Sequence, residues 1–490
     1  MRTFQYFANN DWHDPASGAY FDSENPATGE VWAQVPNCNI DDINRAVAAA
    51  KSAYYEGHWG KMLPAERGRV MRRIGAVMSK QADRLGEIET PDNGKHPKII
   101  TPGRREGQWQ IDSWHYYAGM CDKFEGSLIP AELPDMHNYM KWEPFGVCGL
   151  ILPWNSPIGT LIWKLAPCLA AGNTVVMKPS EQSSCSTLDL MDVLLEADLP
   201  PGVLNVVTGF GPTTGEPLIE HSDVRMVSFT GGTAGGRAAA NIAARHIKPI
   251  VMELGGKSPQ IVLPDADIEL AVNGVASGIF PPGGQSCISG SRLLVHQSII
   301  DDFSARLVEV VRKAQVGDPT EPSSQIGPIA NRPHYERILE KIAQAEADGH
   351  ALLLDGRDAC RDKGYYIGPT IFANVPNHTD LAQNEVFGPV ASTESWTDEE
   401  DAIRIANDTV YGLAAGIWSR DVTKAMRMAD RIEAGTVYIN NYFNAATQSP
   451  VGGYKQSGYG RENGYEGMRC FMQTKSVWLS TNPTQADPFT

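Results

Sequence analysis

Hydrophobic and polar residues change their spacing several times along the chain. In segments 41–54, 64–81 and 109–117, apolar residues recur three and four positions apart, which predicts helices with one buried face. Residues 118–144 lack this spacing and carry prolines around an extended pattern, which predicts a protruding hairpin. The hairpin could contact another subunit, or it could be a surface loop without a partner.

Between residues 145 and 255, short runs of apolar residues alternate with segments of helical length. This alternation predicts parallel strands joined by right-handed crossovers, in a doubly wound α/β domain. Such sheets bind ligands at the carboxyl ends of their strands. The segments PWNSP, KPSE, TGFG and FTGGT all fall at those ends.

The alternation resumes between residues 256 and 440, with long helices predicted at 298–315 and 332–347 and strands in the runs QIVLP, RLLVH, ALLLDG, GLAAGIW and TVYIN. A second α/β domain is the simplest interpretation. The C-terminal run MRCFMQTKSVWLS has a strand pattern and could pair with the 118–144 hairpin, of the same or another subunit.

Length and charge limit the possible functions. A chain of 490 residues is expected to form two or three domains, and its net charge of −16 disfavours nucleic acid or an anionic membrane as a partner. The eight cysteines are scattered without CxxC pairs, so we expect reduced thiols and no metal site. The N-terminus lacks an export signal, and polar residues interrupt the most apolar stretch, 145–172; a cytoplasmic protein is expected.

Two residues carry the candidate chemistry. Cys287 lies in the glycine-rich loop GGQSC, where its thiolate could attack a carbonyl, although most free cysteines only fill space in the core. Glu253 ends an apolar run, VMEL, and is placed to serve a later proton transfer. Its alternative role is a salt bridge to Lys257.

Three strand-end segments favour a dinucleotide and an oxyanion. FTGGT enters a helix, with Thr233 as a possible cap, and a helix N-terminus suits a pyrophosphate, although a tight turn has the same sequence pattern. In KPSE, Lys178 and Glu181 could hold ribose hydroxyls, with the carboxylate favouring NAD over NADP; a surface ion pair is the alternative. Asn155, between two prolines, could donate to an oxyanion or to its own turn.

Eight strings in order resemble the aldehyde dehydrogenase superfamily over nearly the whole chain: PWNSP, WKLAPCLAAGN, KPSEQ, FTGGT, MELGGKSP, GGQSC, NEVFGPV and PVGGYKQSGYGRE. The resemblance implies an α/β protein with a Rossmann-type doubly wound NAD-binding domain, a second α/β catalytic domain and a β oligomerisation arm. The expected boundaries are 1–121 with 145–255 for the first, 256–465 for the second, and 122–144 with 466–490 for the arm. A homodimer or homotetramer is expected.

The resemblance also implies roles for single residues. Cys287 would be the nucleophile, Glu253 the general base, Asn155 with the Cys287 N–H the oxyanion hole, and Glu462 part of a proton relay. The cofactor, NAD or less readily NADP, would lie against Leu152, Trp154, Lys178, Ser180, Glu181, Gly211, Phe229, Gly231, Gly232, Gly236, Leu254, Glu385 and Phe387.

The implied reaction is oxidation of an aldehyde to the carboxylic acid with reduction of NAD. Attack by the thiolate gives a thiohemiacetal, loss of hydride gives a thioester, and water activated by Glu253 hydrolyses it. Relatives that pass the acyl group to coenzyme A typically lack this glutamate. A non-catalytic NAD-binding protein and a thioesterase-like enzyme are the rival hypotheses.

Departures from the family pattern concern the aldehyde pocket. Ser156, Ala445 and Val451 stand where relatives can carry aromatic residues, while Trp163 remains as one wall. Pro281 and Pro282 precede the GGQSC glycines, and Gly232 replaces a common serine. We expect a roomier or more polar pocket, whose shape alone does not name the aldehyde.

Overall fold

The computed structural model describes residues 1–96 and 105–489. Its strands are β1 Arg2–Thr3, β2 Tyr6–Ala8, β3 Asp11–His13, β4 Tyr20–Asn25, β5 Glu30–Pro36, β6 Ser127–Ile129, β7 Met136–Pro144, β8 Val147–Ile151, β9 Thr174–Lys178, β10 Leu204–Val206, β11 Met226–Thr230, β12 Ile250–Glu253, β13 Pro259–Val262, β14 Arg292–His296, β15 Ala351–Leu354, β16 Thr370–Ala373, β17 Val390–Trp396, β18 Ala414–Trp418, β19 Thr436–Ile439, β20 Gly458–Tyr459 and β21 Met472–Ser480.

The α-helices are α1 Ile40–Tyr55, α2 Pro64–Lys80, α3 Ala82–Asn93, α4 Arg105–Met120, α5 Pro157–Ala171, α6 Cys185–Leu195, α7 Glu216–Glu220, α8 Thr233–Arg245, α9 Ile268–Ser277, α10 Ile300–Val311, α11 Arg332–Ala347, α12 Asp380–Gln383, α13 Glu399–Asn407, α14 Val422–Ala429 and α15 Gly464–Arg469. All five helices predicted from the apolar spacing are present, within a few residues of their expected ends. The sequence analysis did not identify α3, which contains Pro91 in its last turn.

The first large sheet has the strand order β20, β12, β11, β8, β9, β10, β2, β3. The five strands from β12 to β10 are parallel, as predicted, and antiparallel strands flank them on both sides. From β8 the chain first builds one half of the sheet through β9 and β10, and then returns to build the other half through β11 and β12. The carboxyl ends of β8 and β11 are therefore neighbours at the switch point, where such sheets bind ligands.

Helices cover both faces of this sheet, which makes it doubly wound. One apolar core lies beneath α2, α4, α5 and α6, and the other lies beneath α1, α7 and α8. Helix α5 is the most deeply placed, with every residue except Trp163 buried. Although α5 is so apolar, none of the helices in residues 1–96 and 105–489 is long and apolar enough to cross a membrane.

The second large sheet has the order β15, β16, β17, β14, β13, β18, β19. All neighbours are parallel except β15 and β16, so the predicted second α/β unit is present. Separate apolar cores lie on its two faces. Strand β12 of the first sheet and β13 of the second are separated only by residues 254–258, so this short segment joins the two sheets.

A three-stranded sheet projects from the body of the molecule. Strand β7 pairs with β6 and, over nine residues, with β21 from the C-terminal segment. The two segments that the sequence could assign to one chain or to two thus pair within one chain. Large apolar side chains remain exposed on this sheet, among them Leu128, Trp478 and Leu479.

Helix α9 packs closely against β18 in the apolar core of the second sheet. A methyl group on Gly274 would overlap the ring of Trp418, which is almost completely buried and donates to Gln260 Oε1 at 3.0 Å. We therefore expect Gly274→Ala to lower the thermal unfolding midpoint, through an overpacking cost of about 1–3 kcal/mol. Gly119→Ala is the control, because no atom lies within 4 Å of the added methyl group and alanine favours a helix. Equal midpoints for the two variants would contradict this packing.

Candidate active site

The segment between the two sheets lies against the loop that carries Cys287. Strand β12 ends at Glu253, and a Cβ atom on Gly256 would lie only 2.5 Å from the carbonyl oxygen of Cys287. Only glycine allows the two backbones to approach this closely. The structure therefore brings the end of the first sheet to the predicted nucleophile.

Cys287 occupies an unfavourable place for a thiolate. The residue is partly exposed, but burial of its thiol raises the pKa well above the ordinary value, and the charges of Glu253, Glu385 and Glu462 raise it further. The thiol is thus protonated at neutral pH. Nucleophilic attack requires a nearby group that takes up the proton.

Glu253 is the candidate for this group. Its side chain is buried, and neither carboxylate oxygen has a hydrogen-bond partner among the described residues. Burial raises its pKa well above the ordinary value, Glu462 raises the pKa further, and the positive charges of Lys164 and Arg461 oppose the shift. The predicted alternative, a salt bridge between Glu253 and Lys257, is not formed.

An ion pair lies beside Glu253 in the interior. Lys164 of α5 contacts Glu462 Oε1 and donates a hydrogen bond of 2.8 Å to Ser228 Oγ. Both members of the pair are buried, and Glu462 Oε2 has no hydrogen-bond partner in the described part of the chain. The sequence analysis treated Lys164 only as an interruption of an apolar stretch. A single lysine in an apolar helix was the available signal, because such a charge must be paired.

Asn155 follows the end of β8 and is tied to the cysteine loop. Its Nδ2 donates to the carbonyl oxygen of Gln285 at 2.9 Å. The Gln285 side chain is itself fixed by Pro328 O and Ala330 N at 3.2 and 2.9 Å. The Asn155 amide therefore bonds to the loop of Cys287 rather than to its own turn, and its second N–H remains available to a ligand.

The predicted dinucleotide residues lie along the carboxyl edge of the first sheet. Lys178, at the end of β9, is buried and makes a 3.0 Å ion pair with Glu181, and burial lowers its pKa. The ion pair anticipated as the alternative therefore exists, but its lysine is in the interior. Leu152 N donates to the Lys178 carbonyl at 3.0 Å, and the adjoining Ser180 is also buried.

Helix α8 begins beside this edge. Gly232 is its N-cap and supplies no side-chain hydrogen bond, so the expectation that Thr233 caps the helix is wrong: Thr233 is the first helical residue. Gly231 lies against the ring of Phe229, and Gly236 lies so close to Leu254 that a methyl group would overlap it. The N–H groups of the first turn are left without a side-chain cap.

Space is open next to two glycines of this edge. Among the described residues, no atom lies within 4 Å of a Cβ built on Gly211 or Gly232. The open space beside Gly232 adjoins the uncapped first turn of α8. The free N–H groups of this turn and the adjacent space would suit a bound pyrophosphate.

Glu385 and Phe387 lie on the opposite side, in the loop after α12. Glu385 Oε1 accepts a 2.9 Å hydrogen bond from Gly256 N, and burial raises the pKa of this carboxyl to about 7. Phe387 has a positive φ of 59°, and its carbonyl accepts from His334 Nε2 at 2.7 Å. His334 thus fixes a strained loop residue that faces the site.

Trp154 connects this loop to the first sheet. Its ring packs against Phe387 at 5.2 Å and against His334 at 5.0 Å, measured between centroids. Burial lowers the pKa of His334 to about 4, so the ring is neutral at pH 7. His334 was not predicted from the sequence, because nothing in its local sequence indicates contacts with Phe387 and Trp154, which are 53 and 180 positions away.

The residues predicted to bind the aldehyde are only partly brought together. Trp163 is partly exposed and packs edge-on against Trp109 at 5.2 Å, and Ser156, the N-cap of the same helix, accepts a hydrogen bond from Lys95. Val451 pairs through its backbone with Glu462. Ala445 lies in an exposed loop.

The chain belongs to the aldehyde dehydrogenase family, whose sequence model matches residues 12–477. The predicted superfamily, the fold class and the enzyme class, an oxidoreductase acting on aldehydes, are thereby confirmed.

Individual relatives resemble this chain over nearly its full length. A (Z)-2-((N-methylformamido)methylene)-5-hydroxybutyrolactone dehydrogenase of Acinetobacter baylyi is 40% identical, covering 100% of this chain and 99% of its own. Human mitochondrial aldehyde dehydrogenase is 40% identical over 96% of this chain and 91% of its own. The solved structure of a Bacillus cereus aldehyde dehydrogenase in complex with NAD+ superposes with a TM-score of 0.95 at 36% identity, covering 98% and 97% of the two chains.

The charge of Glu462 gives a pH test of this geometry. Because it raises the pKa values of both Cys287 and Glu253, Glu462→Gln should lower both, and the unpaired Lys164 would act in the same direction on Glu253. The acid limb of the kcat/KM profile should therefore move to lower pH. Glu309→Gln removes an exposed, remote carboxylate and should leave the limb in place. A shift to higher pH would refute the assigned electrostatics.

Proposed function

We propose that this protein oxidises an aldehyde to the free carboxylic acid through a covalent bond to Cys287. The enzyme is an NAD-dependent aldehyde dehydrogenase. The observation that carries the mechanism is the buried carboxylate of Glu253, which has no hydrogen-bond partner in the described part of the chain and has a raised pKa beside the cysteine loop. A carboxylate held in this way is costly unless it takes part in proton transfer.

The residues at the edge of the first sheet fit NAD. The uncapped N-terminus of α8 and the open space beside Gly211 and Gly232 suit the pyrophosphate, and Lys178 and Glu181 would hold ribose hydroxyls. The carboxylate of Glu181 disfavours the 2′-phosphate of NADP. On the other side, Glu385 and Phe387 would contact the nicotinamide half. When bound, NAD supplies the hydride acceptor for the oxidation.

The chain's own residues carry out the covalent steps. Glu253 accepts the proton of the Cys287 thiol, and the sulfur forms a bond to the aldehyde carbon. The carbonyl oxygen, now an oxyanion, accepts from Asn155 Nδ2 and from the Cys287 N–H. The adduct loses hydride and becomes a thioester.

Hydrolysis releases the product. Glu253 removes a proton from water, whose oxygen bonds to the acyl carbon, and the bond from carbon to sulfur then breaks to leave the carboxylic acid and free Cys287. The proton taken up by Glu253 passes toward Glu462, whose Oε2 has no hydrogen-bond partner within the described residues, and Lys164 offsets the negative charge. Because water accepts the acyl group, this reaction differs from acyl transfer to a thiol such as coenzyme A.

The reaction predicts different defects for the two catalytic variants. Cys287→Ala should form no NADH from any aldehyde in a broad panel. Glu253→Gln should form its first NADH per active site more slowly than the wild type and should lose steady-state turnover at least about 100-fold, because both loss of the thiol proton and hydrolysis depend on this carboxylate. Cys360→Ala, a partly exposed cysteine of the second unit, should behave as wild type. Turnover by Cys287→Ala would refute the mechanism.

We also propose the expected division of the chain: an NAD-binding domain of residues 1–121 and 145–255, a catalytic domain of residues 256–465, and an arm of residues 122–144 and 466–490. The two sheets and the projecting three-stranded sheet support it, although β20 lies within the second range and pairs with β12 of the first sheet. A cytoplasmic location is proposed because all eight cysteines are free thiols.

The arm is proposed to join identical chains into a dimer or tetramer. Its sheet exposes Leu128 by 73%, Trp478 by 56% and Leu479 by 54%, and large exposed apolar side chains on one projecting element are typical of an interface. Strand β6 is also an open edge, to which another strand can pair.

Light scattering after gel filtration tests the arm. Combining Leu128→Glu with Leu479→Glu should lower the measured mass toward that of one chain, because two carboxylates would be buried in the interface. Ile247→Glu places the same charge at a side chain that is 92% exposed on the body of the protein, and it should leave the mass unchanged. An unchanged oligomer in the arm variant would contradict the proposed interface.

A further inference from the structure

We propose that Lys95 and Ser156 form a hydrogen-bonding subsite of the aldehyde pocket that selects aldehydes carrying a second oxygen, as a carboxylate or an ether, a few carbons from the carbonyl. The inference rests on the proposed function. Ser156 directly follows Asn155, and its Oγ lies 2.9 Å from Lys95 Nζ. The lysine thus reaches the residue next to the proposed oxyanion donor.

The turn that carries Lys95 is built into the site. Gly94 adopts a left-handed φ of 79°, and a Cβ there would lie 2.7 Å from Pro328 Cγ. Pro328 is the residue whose carbonyl anchors the Gln285 side chain, and Gln285 in turn accepts from Asn155. The turn therefore packs on the same framework that positions the catalytic loop.

Hydrogen bonds fix the residues on both sides of Gly94. Lys95 N donates to Asn93 Oδ1 at 3.1 Å, and Asn93 Nδ2 lies 3.5 Å from the carbonyl oxygen of Asn155. Lys95 is consequently held next to the Asn155–Ser156 segment at two points, through Asn93 and through its own ammonium group.

The chemistry of the pair is that of a donor. An ammonium group only donates, so Ser156 Oγ accepts from Lys95 and its own hydrogen is left for another acceptor. The charge on the lysine polarises that hydroxyl and strengthens the bond it donates. Both side chains retain access to the outside of the protein: Ser156 is partly exposed, and the side chain of Lys95 is 25% exposed.

The charge nearby is balanced. Glu89, whose side chain is almost fully buried, lies 3.7 Å from Lys95 Nζ, which is an ion-pair distance longer than a hydrogen bond. Lys95 and Glu89 together carry little net charge. Recognition of a substrate oxygen therefore depends on hydrogen bonding at least as much as on attraction of an anion. An acceptor oxygen is the feature that a carboxylate and an ether share.

The position of the subsite sets where that oxygen lies in the substrate. Adjacent Cα atoms are about 3.8 Å apart, so Ser156 is one residue removed from the group that holds the reacting oxygen. Trp163 lies two helical turns along α5 from Ser156, on the same side of the helix, and offers an apolar wall to the carbon chain between the two polar ends.

The test compares three aldehydes of similar length: pentanal, its ether analogue 3-methoxypropanal, and 5-oxopentanoate. In the wild type, kcat/KM should be at least about tenfold higher for one or both oxygenated substrates than for pentanal, the gain expected of one charge-assisted hydrogen bond. Preference for 5-oxopentanoate alone would assign the effect to the lysine charge. Preference for the ether as well would assign it to hydrogen bonding.

Two variants locate the effect. Ser156→Ala removes only the hydroxyl, and Lys95→Met keeps the length of the side chain without its donors; each should lower the ratio of oxygenated substrate to pentanal about tenfold. Ser156→Ala keeps the test decisive if Lys95→Met, which leaves Glu89 without this partner, does not fold. Lys363→Met removes an exposed lysine elsewhere and should preserve the ratio.

Equal or faster oxidation of pentanal by the wild type, or an unchanged ratio in folded Ser156→Ala and Lys95→Met, would overturn the subsite. Such a result would leave the dehydrogenase mechanism intact. Failure of the mechanism gives a different result, namely no NADH from any of the three aldehydes.

Discussion

The contact between the turn after β12 and the Cys287 loop is the constraint on which the rest of the site depends. It requires glycine at position 256, because any side chain there would collide with the Cys287 carbonyl. The same turn donates Gly256 N to Glu385, on the side where the nicotinamide half would lie. This one backbone segment thus lies next to Glu253, Cys287 and Glu385, which belong to different parts of the chain. The chemistry needs all three within reach of one carbonyl carbon.

This contact has an electrostatic consequence. Glu253, Glu385 and Glu462 all raise the pKa of Cys287, so acidic groups surround a sulfur that must become an anion. Lys164 moderates the arrangement from inside α5, where burying an ammonium group is tolerable only because Glu462 accompanies it. Glu462 raises the pKa of Glu253, and Lys164 opposes that shift, so the charge of the lysine limits how far the pKa of the Glu253 carboxyl rises.

The sequence predicts much of this structure because its signals are local. Alternating apolar runs predict the parallel strands of both sheets, and the motifs at strand ends locate Asn155 after β8 and Glu253 at the end of β12. The missed features depend on tertiary contacts. Helix α3 forms in spite of Pro91 because the proline lies in its last turn, while the helix is held by packing against α6. His334 acquires its position from Phe387 and Trp154, which are distant in sequence. The expected cap at Thr233 fails because Gly232 already occupies the cap position with suitable backbone angles.

In the proposed site, the adjacent residues Asn155 and Ser156, which follow β8, would separate catalysis from substrate choice. The side chain of Asn155 bonds to the cysteine loop, whereas that of Ser156 bonds to the turn containing Lys95. A bulky residue at position 156 would displace Lys95 without touching the bond from Asn155 to Gln285. The pocket can therefore change its preference while the oxyanion donor stays fixed. Gln285 holds the side-chain amide of Asn155, and Pro328 and Ala330 hold the side chain of Gln285. Because the Asn155 amide is fixed in this way, we expect a substitution at position 156 to leave it in place.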